Sequence, residues 1–299
     1  MNPQTGKRRY EVRHVTRYSY DDLVEACYER GFLRPRDTEY QIVLDSDLKV
    51  TPEPGRISEH LDYFGNHSTY LEVRSPYSEL VVACRSLVEV DWPLPDLPFL
   101  NQWTVASAAT ELARDTDPVD AADFLMPSAL VVLGPRVRDY AAAILHPHRP
   151  LGEALSALVT RIFTDFDYRQ GTTSVKTTLG ELLDLRQGVC QDFAHLAVGC
   201  LRAVGLPARY VSGYVETSAP PGKEKLQGAD ASHAWASVLT PASGWIDLDP
   251  TNNHFADSRY IVTAWGRDFA DVSPLRGVVY TESSSSDLVV EVDVNPLAG

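Results

Sequence analysis

The segment Asp91-Trp92-Pro93-Leu94-Pro95-Asp96-Leu97-Pro98 can be neither a helix interior nor a central strand, because its prolines lack backbone donors and fix φ. It divides the chain into two differently patterned parts. Before it, Tyr10, Val12, His14, Thr16, Tyr18 and Tyr20 share one parity, with Glu11, Arg13, Arg17 and Ser19 among the residues on the other. That is the period of a half-buried strand. Similar signals at 40–44, 69–73 and 80–90, with Gly65-Asn66 marking a hairpin, make the first ninety residues mostly antiparallel sheet. After it, helical spacing appears at 137–145, 178–185 and 152–166, the last through Leu155, Leu158, Val159, Ile162, Phe163 and Phe166. Strands follow at 208–215, 233–240 and 245–249, and a final strand at 287–294 comes after the serine run 283–286. The expected organisation is a β-rich domain at 1–92, a connecting segment at 93–135, and an α+β core at 136–299 that includes the C-terminal strands. The 217–230 stretch, rich in proline, glycine and charge, reads as an exposed loop and a candidate lid.

Charge narrows the function classes. The 41 acidic against 27 basic residues give a formal charge of -14, which argues against a nucleic-acid or anionic-membrane surface. Residues 1–9 are polar and basic but lead into Tyr10-Glu11-Val12-Arg13-His14 instead of an apolar run, and no stretch has the length to cross a bilayer. Cys27, Cys84, Cys190 and Cys200 show no C-x-x-C spacing, so neither a zinc site nor a disulfide framework is expected. A cytoplasmic protein with reduced thiols fits these features.

One cysteine stands out by position. From Cys190, the apolar residues Phe193, Ala194, Ala197, Val198, Leu201 and Val204 recur at three- and four-residue steps, and Gly205 with Pro207 ends the helix. With Gly188 just upstream, Cys190 falls at the helix start, where unpaired N–H groups and the positive end of the macrodipole favour a thiolate. A buried structural cysteine is the alternative. Downstream lie a base in Ser232-His233-Ala234-Trp235 and carboxylates in Trp245-Ile246-Asp247-Leu248-Asp249-Pro250. Thiol, imidazole and carboxylate make a complete nucleophilic set.

A hairpin centred near Ala242 puts His233 opposite Thr251, with Asp249 diagonal to it on the same face, within reach of the imidazole. Asp247 shares that parity but pairs nearer Ser237, so Asp249 is preferred as the orienting carboxylate. Asp249 before Pro250 is equally a common turn residue. His195, five positions after Cys190, is rotated about 140° from it at roughly 3.6 residues per turn and reads as structural. Asp192 reads as an early-turn residue favoured by the dipole. The backbone N–H of Cys190 is one oxyanion donor, and Tyr168 is a candidate for a second. No histidine has metal-ligand spacing, and no metal is expected.

Glycine-flanked Gly188-Val189-Cys190-Gln191-Asp192-Phe193-Ala194, then Arg202-Ala203-Val204-Gly205-Leu206-Pro207-Ala208-Arg209-Tyr210-Val211, His233-Ala234-Trp235 and Asp249-Pro250-Thr251-Asn252 resemble the transglutaminase-like superfamily of papain-type thiol enzymes. Phe32-Leu33-Arg34-Pro35-Arg36, Asp62-Tyr63-Phe64-Gly65-Asn66 and Ala264-Trp265-Gly266-Arg267 resemble its bacterial two-domain branch. The resemblance implies a cysteine-bearing helix packed on an antiparallel sheet that carries histidine and aspartate. Cys190 would be nucleophile, His233 base and Asp249 orienter, and Tyr168 is a looser carry-over. It implies no cofactor for this branch, and the calcium of animal transglutaminases is not carried over, because no D-x-D-x-D-G loop is present. The expected activity is acyl transfer from a peptide or glutamine-type amide through a thioester, hydrolytic more than cross-linking, with a protein or peptide as substrate. The alternative is a binding or assembly module on the same fold.

Overall fold

The computed structural model describes residues 4–115, 118–217 and 232–297, without the side chains of 118–121. It opens on a single long strand, β1 (Arg8–Gly31), followed by β2 (Gln41–Thr51), β3 (Arg56–Leu61), β4 (His67–Val73) and β5 (Tyr77–Val90). β1 is the spine of the first sheet. Its first half pairs antiparallel with β5 and its second half with β4, and the register shifts between Ser19 and Val24 and between Val24 and Ala26 lie where one pairing gives way to the other. Tyr10, Val12 and His14 are buried as the alternation requires. β3 escapes sequence reading because all six of its residues are exposed, which leaves no alternation of burial to detect.

The middle of the chain carries α1 (Leu97–Leu100), α2 (Val105–Asp115), α3 (Pro118–Leu125), α4 (Pro135–Ile144) and α5 (Leu151–Asp165). The two-residue strand β6 (Asp167–Tyr168) follows, then α6 (Leu179–Leu185), β7 (Gln187–Gly188) and α7 (Cys190–Ala203). The second sheet is built from β8 (Ala208–Val215), β9 (Ser232–Thr240), β10 (Gly244–Asp249), β11 (His254–Phe255) and β12 (Tyr260–Gly266), in the antiparallel order β11-β10-β9-β8-β12. After α8 (Phe269–Val272), the chain ends in β13 (Leu275–Thr281) and β14 (Ser286–Leu297).

Three layers result. On one face of the second sheet, Ala234, Ala236 and Val238 join Phe193, Ala197 and Leu201 of α7 in the main core. On the other, Val211, Trp235 and Tyr260 pack against Tyr10, Val12, Val88 and Val292 of the first sheet. Two buried amides extend the β12 ladder across this junction: Gln41 donates to the Val262 carbonyl and accepts its N–H, each at 2.8 Å, and Asn66 does the same for Trp265 at 2.8 and 3.0 Å. Their partners are main-chain groups that burial would otherwise leave unpaired.

Two features differ from the sequence expectation. The 93–135 segment is not a bare connection: Leu100, Val105, Ala108, Leu112 and Val131 are part of the main core. Their spacing is interrupted by prolines and short helices, so no long period announces them. The C-terminal strands, expected with the core at 136–299, pair instead with β1, as Val294 with Val12 and Val279 with Cys27. A period of two states that a segment is a strand and is silent on its partner. The 217–230 loop lies outside the described residues beyond Thr217. Among the described residues no helix is long and apolar enough to cross a membrane.

Candidate active site

The approach to Cys190 is set by local chemistry. Thr178 caps α6 by accepting the Glu181 N–H at 3.2 Å, while Glu181 accepts the Thr178 N–H at 2.7 Å. The chain leaves α6 through Arg186 at φ 53° and runs along β7, parallel to β6, before entering α7. At Gly188 a Cβ would stand 2.8 Å from Asp192 Oδ2 and 2.9 Å from Leu182 Cδ1, so only glycine lets the strand pass this close. Asp192, the third residue of α7, accepts the Val189 N–H at 2.9 Å and the Thr173 hydroxyl at 2.7 Å. Burial raises its pKa, and those two bonds oppose the rise. It therefore fixes the helix entry and ties the 169–178 segment to it, as an early-turn acid should.

Cys190 is the one cysteine of the four that is partly exposed; Cys27, Cys84 and Cys200 are buried, and burial pushes their thiols up. His195 points away from it into the core, its ring 4.8 Å from Tyr210 and its Nε2 accepting the Phe269 N–H at 3.1 Å. Burial holds that imidazole neutral, with a pKa of about 4.

His233 is the second residue of β9, and Cys190 stands near enough to act on its protonation. Its Nε2 is 2.7 Å from Asp249 Oδ2, which leaves Nδ1 for the thiol side. The hairpin register pairs Asp247 with Ser237 and Leu248 with Ala236, a pivot at Ala242, and so brings Asp249 diagonally onto His233. Asp249 is fully buried yet well supplied with donors. Oδ2 also accepts the Tyr260 hydroxyl at 2.6 Å and the Asn252 amide at 2.7 Å, and Oδ1 accepts the N–H of Thr251 at 2.8 Å and of Asn252 at 3.3 Å. One oxygen accepts from the turn and the other faces the histidine.

The electrostatics follow from that arrangement. Burial opposes charge on both partners, but the Asp249 charge and its hydrogen bond raise His233 above its ordinary range, and the Cys190 contact acts in the same direction. Burial likewise would raise Asp249, and His233, Tyr260 and Asn252 together hold it below the usual carboxylate range. Asp247 does not meet His233. Its Oδ2 takes the Trp235 indole N–H at 2.7 Å, and Arg209 is its charged neighbour.

Residues 10–89 match the bacterial transglutaminase-like N-terminal region and residues 138–250 the transglutaminase-like superfamily core. An uncharacterized protein of Mycobacterium tuberculosis is 45% identical over 312 residues, covering 99% of this chain and 96% of its own length. The chain belongs to the transglutaminase-like superfamily. An uncharacterized Mycobacterium leprae protein is 33% identical over 97% of this chain and 99% of its own. A crystal structure of a candidate cysteine protease from Cytophaga hutchinsonii superposes with a TM-score of 0.80 at 20% identity, over 99% of this chain and 92% of that one, and shows the same fold. A Pseudomonas aeruginosa protein-glutamine gamma-glutamyltransferase is 31% identical over 121 residues, 39% of this chain and 18% of that protein.

Within this superfamily fold, Tyr168 stands in β6 beside Gly188, 53% exposed, with its ring 6.4 Å from that of Phe193. Burial raises its pKa, and Cys190 acts in the same direction. Sequence reading gave no role to Tyr260 or Asn252. Asn252 had a signal, its place after Asp249-Pro250-Thr251, whereas Tyr260 reaches Asp249 from across the sheet and had none. Among the described residues no group of three or more His, Cys, Asp or Glu side chains is placed to hold a metal ion.

Proposed function

We propose that the protein is a cysteine-dependent acyl-transfer enzyme acting on peptide or glutamine-type amide bonds. The observation that carries this reading is His233 bonded at 2.7 Å to a fully buried carboxylate, with the partly exposed Cys190 near enough to act on its protonation. The Cys190 thiolate adds to the amide carbonyl carbon. The resulting oxyanion is held by the Cys190 N–H at the start of α7, with the Tyr168 hydroxyl as the second donor. The His233 imidazolium gives its proton to the amine nitrogen as the C–N bond breaks, leaving a thioester on Cys190. Water then attacks as His233 takes its proton, and the C–S bond breaks to release the acid. Asp249 keeps the ring in the tautomer that faces the thiol throughout.

The names borne by the Cytophaga and Pseudomonas relatives, protease and glutamyltransferase, share this thioester and differ in what resolves it. Hydrolysis is favoured here because a thioester on a partly exposed cysteine meets far more water than amine. Mass spectrometry after incubation with a peptide pool, with and without monodansylcadaverine, tests the reading. The expected result is an acyl adduct on Cys190, absent from Cys190→Ala, and mainly free acid as product. Dansylated peptide as the main product would replace hydrolysis by transfer, and no adduct together with slow iodoacetamide labelling of Cys190 at pH 6 would overturn the enzyme reading.

A further inference from the structure

The hydrogen bonds of the site continue behind Asp249. Tyr260, wholly buried, gives its hydroxyl to the same Oδ2 that faces His233. Behind Tyr260 stands His254 of β11, with Nδ1 2.6 Å from the Phe255 carbonyl oxygen and Nε2 3.2 Å from the Tyr260 oxygen. A carbonyl can only accept, so Nδ1 carries the proton, and in the neutral ring Nε2 is an acceptor. A phenol has one hydrogen to give, and two acceptors face it. The charged groups around this corner are Arg259, with Nη2 3.4 Å from the same His254 nitrogen and 2.6 Å from Asp257, and Asp249 itself, whose remaining side-chain neighbours are His233 and the Asn252 amide.

We propose that Tyr260 is a positioning residue that sets how strongly Asp249 holds the His233 proton, and that His254 draws on the same hydroxyl from the far side. The inference rests on the acyl-transfer reading of Cys190, His233 and Asp249. Each donor on a carboxylate withdraws charge from the groups that share it. With the Tyr260 hydrogen on Asp249, the imidazolium is a stronger acid toward a leaving amine. Without that hydroxyl, the carboxylate charge concentrates on His233. Without His254, the hydroxyl turns wholly to Asp249. The two substitutions therefore act in opposite directions, which lost packing alone does not produce.

The ratio of iodoacetate to iodoacetamide alkylation rates at Cys190, followed across pH in the full chain, reads the charge on His233, because an imidazolium speeds the anionic reagent and not the neutral one. The ratio falls as pH rises through the His233 titration. Tyr260→Phe is expected to move that midpoint up and His254→Leu to move it down, each by about half a pH unit. Either midpoint unmoved, or both moving the same way, overturns the proposal. A parental ratio that His233→Ala leaves unchanged sinks the acyl-transfer reading itself, and this inference with it.

Discussion

Asp247 and Asp249 lie two residues apart on one strand and one face, both buried, and their surroundings treat them oppositely. Asp249 sits at the strand end, where the Pro250 turn, Asn252, Tyr260 and His233 converge as donors, and it is held below the usual carboxylate range. Asp247, mid-strand, has the Trp235 N–H and the charge of Arg209, and burial raises it. Arg209 is itself engaged, with its guanidinium carbon 3.7 Å from the ring centre of Trp265 and 4.2 Å from that of Trp245. Depth alone therefore does not decide in which direction a carboxylate shifts; the number and aim of donors do.

The sharpest break of this comparison is in turnover. Asp249→Asn keeps the shape but presents the wrong hydrogen-bonding face to His233, and is expected to lower turnover of the peptide found by adduct mapping by roughly 10⁴-fold. Asp247→Asn is expected to stay within about tenfold of the parent, since it touches neither the thiol nor the imidazole. Equal losses in the two variants would erase the distinction. The next effect is on stability. Asp247→Ala leaves the Trp235 N–H unpaired and Arg209 without its counter-charge, and should cost about 3 kcal/mol in denaturant unfolding.

The pH dependence of stability should separate the two residues by sign. Asp249 is lowered in the fold, so its contribution is in place above about pH 4 and is lost as pH falls through its native value; that of His233, which is raised, is in place below about pH 6.5 and lost as pH rises through its own. The Tm deficit of Asp249→Asn should therefore widen from pH 3 to pH 6. Asp247 is raised, so ionising it costs stability as pH climbs, and the deficit of Asp247→Asn should narrow over the same range. Parallel curves would show that the two environments are equivalent. The smallest effect belongs to the thiol side: Thr173→Val removes one of the two donors on Asp192 and is expected to cost about 1 kcal/mol and a few-fold in Cys190 alkylation rate.

The parts of this molecule that were legible in advance share one property, that their causes are near in sequence. The start of α7 at Cys190 and its end before Gly205, the short helix α6 ahead of it, and the hairpin pivot at Ala242 that brings Asp249 to His233, 16 residues away, all follow from local spacing. The outward turn of His195 follows from helix geometry in the same way. The helices between 97 and 125 and the partners of the C-terminal strands were not legible, because short interrupted segments carry little period and strand patterns do not name their neighbours.

The amino-acid order by itself determined a thiol at a helix mouth, an imidazole at a strand start and two carboxylates in register with it. Only the tertiary structure decided which groups stand behind them. Tyr260 of β12 comes to Asp249 of β10, His254 of β11 comes to Tyr260, and β14 meets β1 from the far end of the chain. Hydrogen bonds and apolar packing act over a few ångströms in space whatever the separation along the chain, so such partners exist only once the layers have closed.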